Sequence, residues 1–243
     1  GNLLTLEIDC IERPKAMLYG SLHYDPVLSA GAVISLSGRD LFTPGSVINL
    51  DSYIGQFYRF RLSAIQFADR SQKLGIEASF FADNTRFPLI KLRNETGPML
   101  SQNFNASLAL SKRLSLNHLM TLSLSLENQR LIPDYITSSR IRRLSYDNVK
   151  VLYSYQANTL DQKHFPNQGI IYGVSLASSK LIGASVRIGS VKHSYKPGDE
   201  ESPFSFDRTY GARAWFNTYT SPSEKVTVNI GGDFLLTTGT DSI

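Results

Sequence analysis

The stretch that decides the fold is residues 148–178, which reads Asn148-Val-Lys-Val-Leu-Tyr-Ser-Tyr-Gln-Ala-Asn158 and continues, after an interruption, as Ile170-Ile-Tyr-Gly-Val-Ser-Leu-Ala-Ser178. Val, Val, Tyr, Tyr and Ala occupy every second position of the first segment, as in a half-buried strand. Between the segments, Pro166 and Gly169 break the pattern, because proline fixes φ and lacks an amide donor while glycine accepts a positive φ. The sequence therefore predicts two long antiparallel strands joined by a turn.

The same alternation recurs on both sides of this unit. Strands are predicted at residues 15–25, 31–42, 46–55, 57–69, 73–83, 104–112, 119–129, 148–158, 170–183, 204–219 and 226–236. These are roughly eleven strands of ~10 residues, the length that a tilted strand needs to cross a bilayer. Strands of soluble globular proteins are typically about half as long.

The predicted connections fall into two groups. Tight ones, at residues 43–46, 69–72, 115–118, 163–169 and 220–225, alternate with longer ones at 84–102, 131–147 and 184–203. Outer-membrane barrels have this asymmetry, with short periplasmic turns and longer surface loops. A soluble β-sandwich gives no reason for it.

Composition excludes several other classes of protein. Only 42% of the 243 residues are hydrophobic, and no run approaches the ~18–20 apolar residues of a membrane-spanning helix. The 25 basic and 21 acidic residues are interspersed, whereas nucleic-acid binding requires a clustered basic face. The single Cys10 excludes an internal disulfide, and the four histidines have no metal-ligand spacing.

A polar face must accompany the apolar one. A soluble sandwich buries its apolar rows between two sheets, whereas a barrel in lipid turns them outward and encloses the polar rows. Charged residues recur on the polar side of the predicted strands at Arg59, Arg61, Lys73, Glu77, Lys150, Arg213 and Asp233. Strand length, connection asymmetry and this charged face favour the barrel, with the soluble sandwich as an alternative.

The unit at 148–178 resembles the strand, turn and strand of the BamA/TamA-type outer-membrane barrels, the bacterial surface antigen superfamily. The match is carried by Leu160, Asp161, Phe165, Pro166 and Gly169. The resemblance implies an all-β fold: an antiparallel up-and-down transmembrane β-barrel, partial, located in the bacterial outer membrane. Residues 15–243 are then the N-terminal portion of the barrel, and residues 1–14 are the tail of an upstream domain or a linker strand.

Two further features of the family bear on this chain. Family barrels have about sixteen strands and an inward loop with an Arg-Gly-aromatic signature, and no such triplet occurs here. Residues 20–42 resemble the barrel that follows a patatin-like phospholipase domain in bacterial fusion proteins. The expectation is therefore a partial barrel, with any phospholipase chemistry in a domain outside this chain.

The expected function is membrane anchoring, or protein insertion and translocation, rather than catalysis. The expected partners are outer-membrane lipid and client outer-membrane or secreted polypeptides, with no nucleic acid, cofactor or metal. The segment Gly173-Val-Ser-Leu-Ala177 lacks the last glycine of a serine-hydrolase elbow and lies within a predicted strand, so no catalytic motif is present. The alternatives are the anchor of a patatin-like phospholipase, a passive pore and a soluble sandwich that binds a ligand.

Three groups of residues remain as local candidates. The acidic run Asp199, Glu200 and Glu201 is either a divalent-cation site or a solvated loop tip. The basic residues Arg140, Arg142 and Arg143 either meet lipid phosphates or are simply solvated. Asp161 is expected to cap its own turn by accepting bonds from nearby backbone amides.

Overall fold

The computed structural model describes residues 14–25, 29–92, 95–133, 141–161, 166–223 and 226–238. These residues form twelve strands: β1 (Ala16–Asp25), β2 (Ser29–Arg39), β3 (Ser46–Ile54), β4 (Tyr58–Phe67), β5 (Leu74–Leu92), β6 (Glu95–Ser115), β7 (His118–Pro133), β8 (Ile141–Asn158), β9 (Gly169–Ile188), β10 (Val191–Tyr195), β11 (Arg208–Ser223) and β12 (Val226–Thr238). In the described ranges, no helix is long and apolar enough to cross a membrane. The expected strand before residue 14 lies outside these ranges.

The strands form one antiparallel meander. The order is β1-β2-β3-β4-β5-β6-β7-β8-β9-β11-β12, and the short β10 folds back on β9. Within the described residues, β1 pairs only with β2 and β12 only with β11, so the sheet is open. The predicted all-β antiparallel meander is confirmed: the eleven strands of the main path are the expected ones, and β10 is additional.

The long loop predicted at 84–102 is wrong, because β5 runs to Leu92 and β6 starts at Glu95. The prediction failed because Pro88, Gly97 and Pro98 are loop signals and the alternation weakens there. Both prolines instead fall at a shift in register between Phe87 and Ile90. Such an irregularity accommodates a residue that cannot donate to the ladder.

Three other predicted boundaries need the same correction. The connection predicted at 184–203 contains the end of β9, to Ile188, and all of β10. Of the loop predicted at 131–147, residues 131–133 belong to β7 and 141–147 to β8, while 134–140 lie outside the described residues. The strand predicted from residue 204 begins at Arg208 instead. Phe204 lies before this strand, and the centre of its ring is 5.7 Å from the ring centres of both Tyr146 and Tyr195.

The asymmetry of the sheet therefore lies in its strands. β1 to β4 have 9–11 residues, whereas β5 to β9 have 16–21. One end of the sheet carries the turns that follow β2, β4, β6, β8 and β11 and is called the turn end. The central strands extend at the opposite end, which is called the extended end.

Cross-strand register separates two faces. Leu108 pairs with Leu124, and Leu124 with Val151, on one side, while Ser107 pairs with Ser125, and Ser125 with Lys150, on the other. We call these sides the apolar face and the polar face. The large apolar side chains are exposed, with 61% of Leu108, 58% of Leu176 and 68% of Phe234 accessible.

The interior of the sheet is correspondingly thin. Among the described residues, the buried hydrophobic side chains are small: Ala82, Ala157, Ala184 and Val186. No second sheet covers the apolar face in the described ranges. The described part of the chain therefore lacks the apolar rows packed between two sheets that a soluble sandwich requires.

Candidate membrane-facing surface

The apolar face carries a continuous band across the strands. On β7 it runs from Met120 through Leu122 and Leu124 to Leu126. The paired positions on β8 are apolar or aromatic, and those on β6 are apolar except Lys112, which lies opposite Met120. A span of six to eight residues at ~3.3 Å per residue covers about 20–26 Å along a strand. This matches the outward apolar band of about 25 Å in outer-membrane barrels.

Aromatic side chains border the band at both ends. Towards the turn end lie Tyr155, Tyr172 and Phe216, with the Tyr155 and Tyr172 rings 6.3 Å apart. Towards the extended end lie Phe80 and Phe104. Rings at these two levels are placed like the aromatic girdles of membrane barrels, where amphipathic rings sit at the bilayer interfaces.

The polar face carries most of the charged side chains that the sequence analysis named. Register places Arg59, Arg61, Glu77, Lys150, Arg213 and Asp233 on it. Arg61 lies 5.4 Å from the centre of the Phe81 ring, and Arg213 Nε donates to both carboxylate oxygens of Asp233, at 2.9 and 3.0 Å. Lys73 departs from the expectation, because it lies in the turn before β5. These groups require water, so this face is suited to an aqueous lumen.

The turn between β8 and β9 is held by Asp161. Its Oδ1 accepts hydrogen bonds from the backbone amides of Asn167 and Gln168, at 3.0 and 3.2 Å, and its own amide donates to the Gln168 carbonyl at 3.1 Å. Pro166 lies half-buried in the same turn, and Phe165 lies outside the described residues. The carboxylate thus satisfies main-chain donors that no strand partner reaches.

Gly169 is the other constrained position of this turn. Its φ is +115°, and a Cβ placed there would lie 2.5 Å from the Thr159 carbonyl oxygen. The two strands approach closely here because the amide and the hydroxyl of Thr159 both donate hydrogen bonds to the Ile170 carbonyl, at 2.8 and 3.0 Å. Only glycine has both the conformational freedom and the small size for this position.

Neighbouring strands brace the same turn from both sides. The Asn158 amide donates to the Asn117 carbonyl at 2.8 Å, in the turn between β6 and β7. The Ser221 hydroxyl of β11 donates to the Asn167 carbonyl at 2.9 Å. The turn therefore joins adjacent hairpins into one edge.

Two further turns at this end use an aspartate in the same way, and sequence reasoning missed both. Asp40 Oδ1 accepts from the Gly45 amide at 2.5 Å, and Asp69 Oδ1 accepts from the Lys73 and Leu74 amides at 2.8 and 3.0 Å. The available signal was an aspartate within two residues of the end of each strand. Hydrogen bonds from Ser71 and then from backbone amides hold the pKa of the exposed Asp69 below its usual value.

The acidic run at 199–201 does not gather into a metal site. Asp199 Oδ2 accepts from the Lys196 amide at 2.6 Å, so this carboxylate caps its own loop. In the part of the chain that the structure describes, no group of three His, Cys, Asp or Glu residues is arranged to hold a metal ion. Of the basic run, Arg140 lies outside the described residues, and Arg142 and Arg143 lie on β8.

Comparison with known proteins identifies the fold of this chain but no family. No protein-family model and no curated protein matches the chain. The crystal structure of BamA from Haemophilus ducreyi lacking POTRA domains 1–3 is similar, with a TM-score of 0.63 and 12% sequence identity over 95% of this chain. The chain has a BamA-type barrel fold. It covers 42% of that BamA chain, and at this level of identity the likeness concerns the fold alone.

Replacing Gly169 tests the turn. Gly169→Ala should lower the free energy of unfolding by about 1–3 kcal/mol for the backbone conformation alone, with a further loss from overlap with Thr159. The measurement is a urea titration in detergent or lipid vesicles. Gly20→Ala is the matched control, because a Cβ there meets nothing within 4 Å, and it should be nearly neutral. Equal effects of the two changes would contradict the assigned strain.

The Asp69 turn should give a pH-dependent contribution to stability. Because folding lowers its pKa, the carboxylate stabilises the folded state above the unfolded-state pKa of about 3.9, and this contribution is lost as the pH falls through the lower folded-state value. The free energy of unfolding should therefore be higher for wild type than for Asp69→Asn. This difference should be constant near neutral pH and shrink below about pH 4. Parallel urea titrations across this range measure it, and a difference that grows on acidification would contradict the assignment.

Proposed function

We propose that residues 15–243 are the N-terminal portion of an outer-membrane β-barrel domain in a bacterium. This domain anchors a larger protein in the membrane or takes part in inserting or translocating other polypeptides. Residues 1–14 are then the tail of an upstream domain or a linker strand. The observation that carries the proposal is the uncovered apolar face of a single sheet, opposite a charged polar face.

The energetic argument concerns what covers the apolar face. Burying an exposed Leu, Ile, Val or Phe side chain contributes about 1.5–3 kcal/mol, and such exposed residues occur on every strand of the main path. Soluble monomers rarely expose apolar patches beyond a few hundred Å². Hydrocarbon covers the band without requiring a second sheet, and the aromatic borders at both ends support this environment.

Main-chain pairing also supports a barrel. In hydrocarbon each unsatisfied peptide group costs several kcal/mol, so a sheet in a membrane needs partners along both edges. β1 and β12 each present one unpaired edge within the described residues. A strand added to such an edge is held by main-chain hydrogen bonds. The BamA-type fold and these edges support a role in handling other strands or closing with them.

A second candidate is the membrane anchor of a patatin-like phospholipase. It is favoured by the resemblance of residues 20–42 to the barrels of such fusion proteins. In this case the catalytic groups belong to another domain, and this chain contributes attachment to the membrane. Serine-hydrolase activity of the full-length protein, abolished by deleting the region upstream of the barrel, would distinguish it from a barrel concerned with protein insertion.

Arginine substitutions on the two faces test membrane embedding. Leu108→Arg and Leu124→Arg lie in the middle of the apolar band, and each should cost about 2–4 kcal/mol of folding free energy in a lipid bilayer. Ser107→Arg is the matched control on the adjacent position of β6, where the side chain meets the polar face beside Ser79. Ser107→Arg should cost less folding free energy than either leucine substitution.

The measurement is urea unfolding in phospholipid vesicles, with flotation on a density gradient to show that each variant is embedded. Equal losses for Leu108→Arg and Ser107→Arg would contradict the assignment of the faces. A wild-type chain that stays monodisperse without detergent and does not float with vesicles would overturn the membrane proposal itself.

A further inference from the structure

Beyond the band, the apolar face becomes basic on the central strands. Asn128 pairs with Asp147, and Arg130 with Ser145, so β7 and β8 keep their register past Leu126 and Val149. Asn128 and Arg130 therefore lie on the same side of the sheet as Leu126, although they are polar or charged. This continuation lies directly beyond the aromatic border formed by Phe80 and Phe104.

A shift in register brings residues of β9 and β10 to the same place. The ladder between β8 and β9 steps from Asn148 opposite Leu181 to Asp147 opposite Gly183, which leaves Ile182 as an extra residue. After this step Arg143 pairs with Arg187, and Lys192 of β10 pairs with Arg187 from the other side. Strand bulges re-aim side chains in this way.

The result is a cluster of four cationic side chains around one cavity. Arg130, Arg143, Arg187 and Lys192, which we call the basic cluster, line a cavity of about 380 Å³ together with Asn128, Ser145, Asp147 and Ser185. The one carboxylate, that of Asp147, accepts a hydrogen bond from Asn128 Nδ2 at 2.5 Å. Among the described residues none of the four cations forms an ion pair, although Arg130 lies 5.5 Å from the centre of the Phe104 ring.

An apolar groove adjoins this cavity on the side of the band. Phe80, Phe104, Ala106, Leu126 and Ile182 contribute to a space of about 370 Å³. Asn128 and Asp147 line both spaces, so the groove and the basic cluster meet. The bulged Ile182 lies at this junction. An apolar groove ending in a group of cations has the shape and charge of a site for an amphiphile with an anionic head.

We infer that the groove and the basic cluster form a binding site for a membrane lipid with an anionic phosphate head group. An acyl chain lies along Phe104, Leu126 and Ile182, and the phosphate contacts Arg143, Arg187 and Lys192. Guanidinium and ammonium groups bind phosphate by charge-assisted hydrogen bonds, and basic residues beside a membrane attract anionic lipid. This inference rests on the proposed membrane function, and it assigns a lipid ligand to the apolar side of the sheet.

The position of the cluster favours a lipid over a free anion or another macromolecule. The four cations lie on the face of the apolar band and just outside one of its aromatic borders, the level at which head groups lie. A free phosphate would use the cations without the groove. A nucleic acid would need an extended basic face, and the four cations of the basic cluster instead surround one cavity.

The experiment measures lipid retained by the folded chain in dodecyl maltoside micelles, with native mass spectrometry as the readout. The probe is phosphatidylglycerol, with phosphatidylcholine as the uncharged comparison and inorganic phosphate as the competitor without an acyl chain. Replacing three cations, in Arg143→Gln/Arg187→Gln/Lys192→Gln, should weaken phosphatidylglycerol binding at least about tenfold. Binding of phosphatidylcholine should be weak and the same in all variants.

Two variants separate the site from general effects. Arg59→Gln/Arg61→Gln/Lys150→Gln removes the same charge from the polar face and should leave phosphatidylglycerol binding unchanged. Ala106→Phe fills the groove without changing charge, and it should weaken binding while the circular dichroism spectrum stays that of the wild type. Loss of binding in the first together with retention in the second would overturn the site.

Other outcomes distinguish this inference from the proposed function. If wild type floats with vesicles but the variant of the basic cluster retains phosphatidylglycerol as well as wild type does, this inference fails and the barrel proposal stands. If inorganic phosphate displaces the lipid at equal concentration, the cluster binds a free anion and the lipid site is overturned. If wild type does not float, the membrane function fails first.

Discussion

Cross-strand register is the constraint on which this structure depends. Because side chains alternate along a strand, a slip of one residue would exchange the two faces. Leu124 is apolar and lies between Leu108 and Val151, while Ser125 lies between Ser107 and Lys150. With a single sheet and almost no buried core in the described residues, the stability of the molecule rests on its main-chain ladders and on what covers the apolar face.

The turns at one end help to fix this register. Asp40, Asp69 and Asp161 each accept hydrogen bonds from backbone amides next to the end of a strand. Gly169 allows a backbone conformation in which a side chain would overlap with Thr159. Bonds from Asn158 to Asn117 and from Ser221 to Asn167 join the turns of neighbouring hairpins. Each hairpin is thereby held in register by its own turn and by the next turn along.

Two departures from regular register lie where the chemistry of the sheet changes. The step at Phe87 and Ile90 places two prolines in β5 and β6, and the step at Ile182 places Arg187 on the face of Arg143. Both lie beyond the apolar band. Within the band the ladders keep a regular register, so the apolar residues of neighbouring strands stay on one face.

The sequence by itself determined the class of fold, the two faces and the turn at 159–169. These follow from local rules: alternation fixes which residues share a side, and proline, glycine and aspartate mark the turn. The sequence did not reveal that residues 84–92 and 95–102 are strands. Their alternation is interrupted by Pro88, Gly97 and Pro98, whereas the main-chain ladder continues. Tertiary structure alone brought Arg130, Arg143, Arg187 and Lys192 together, because they come from four strands and their shared face depends on one extra residue in β9.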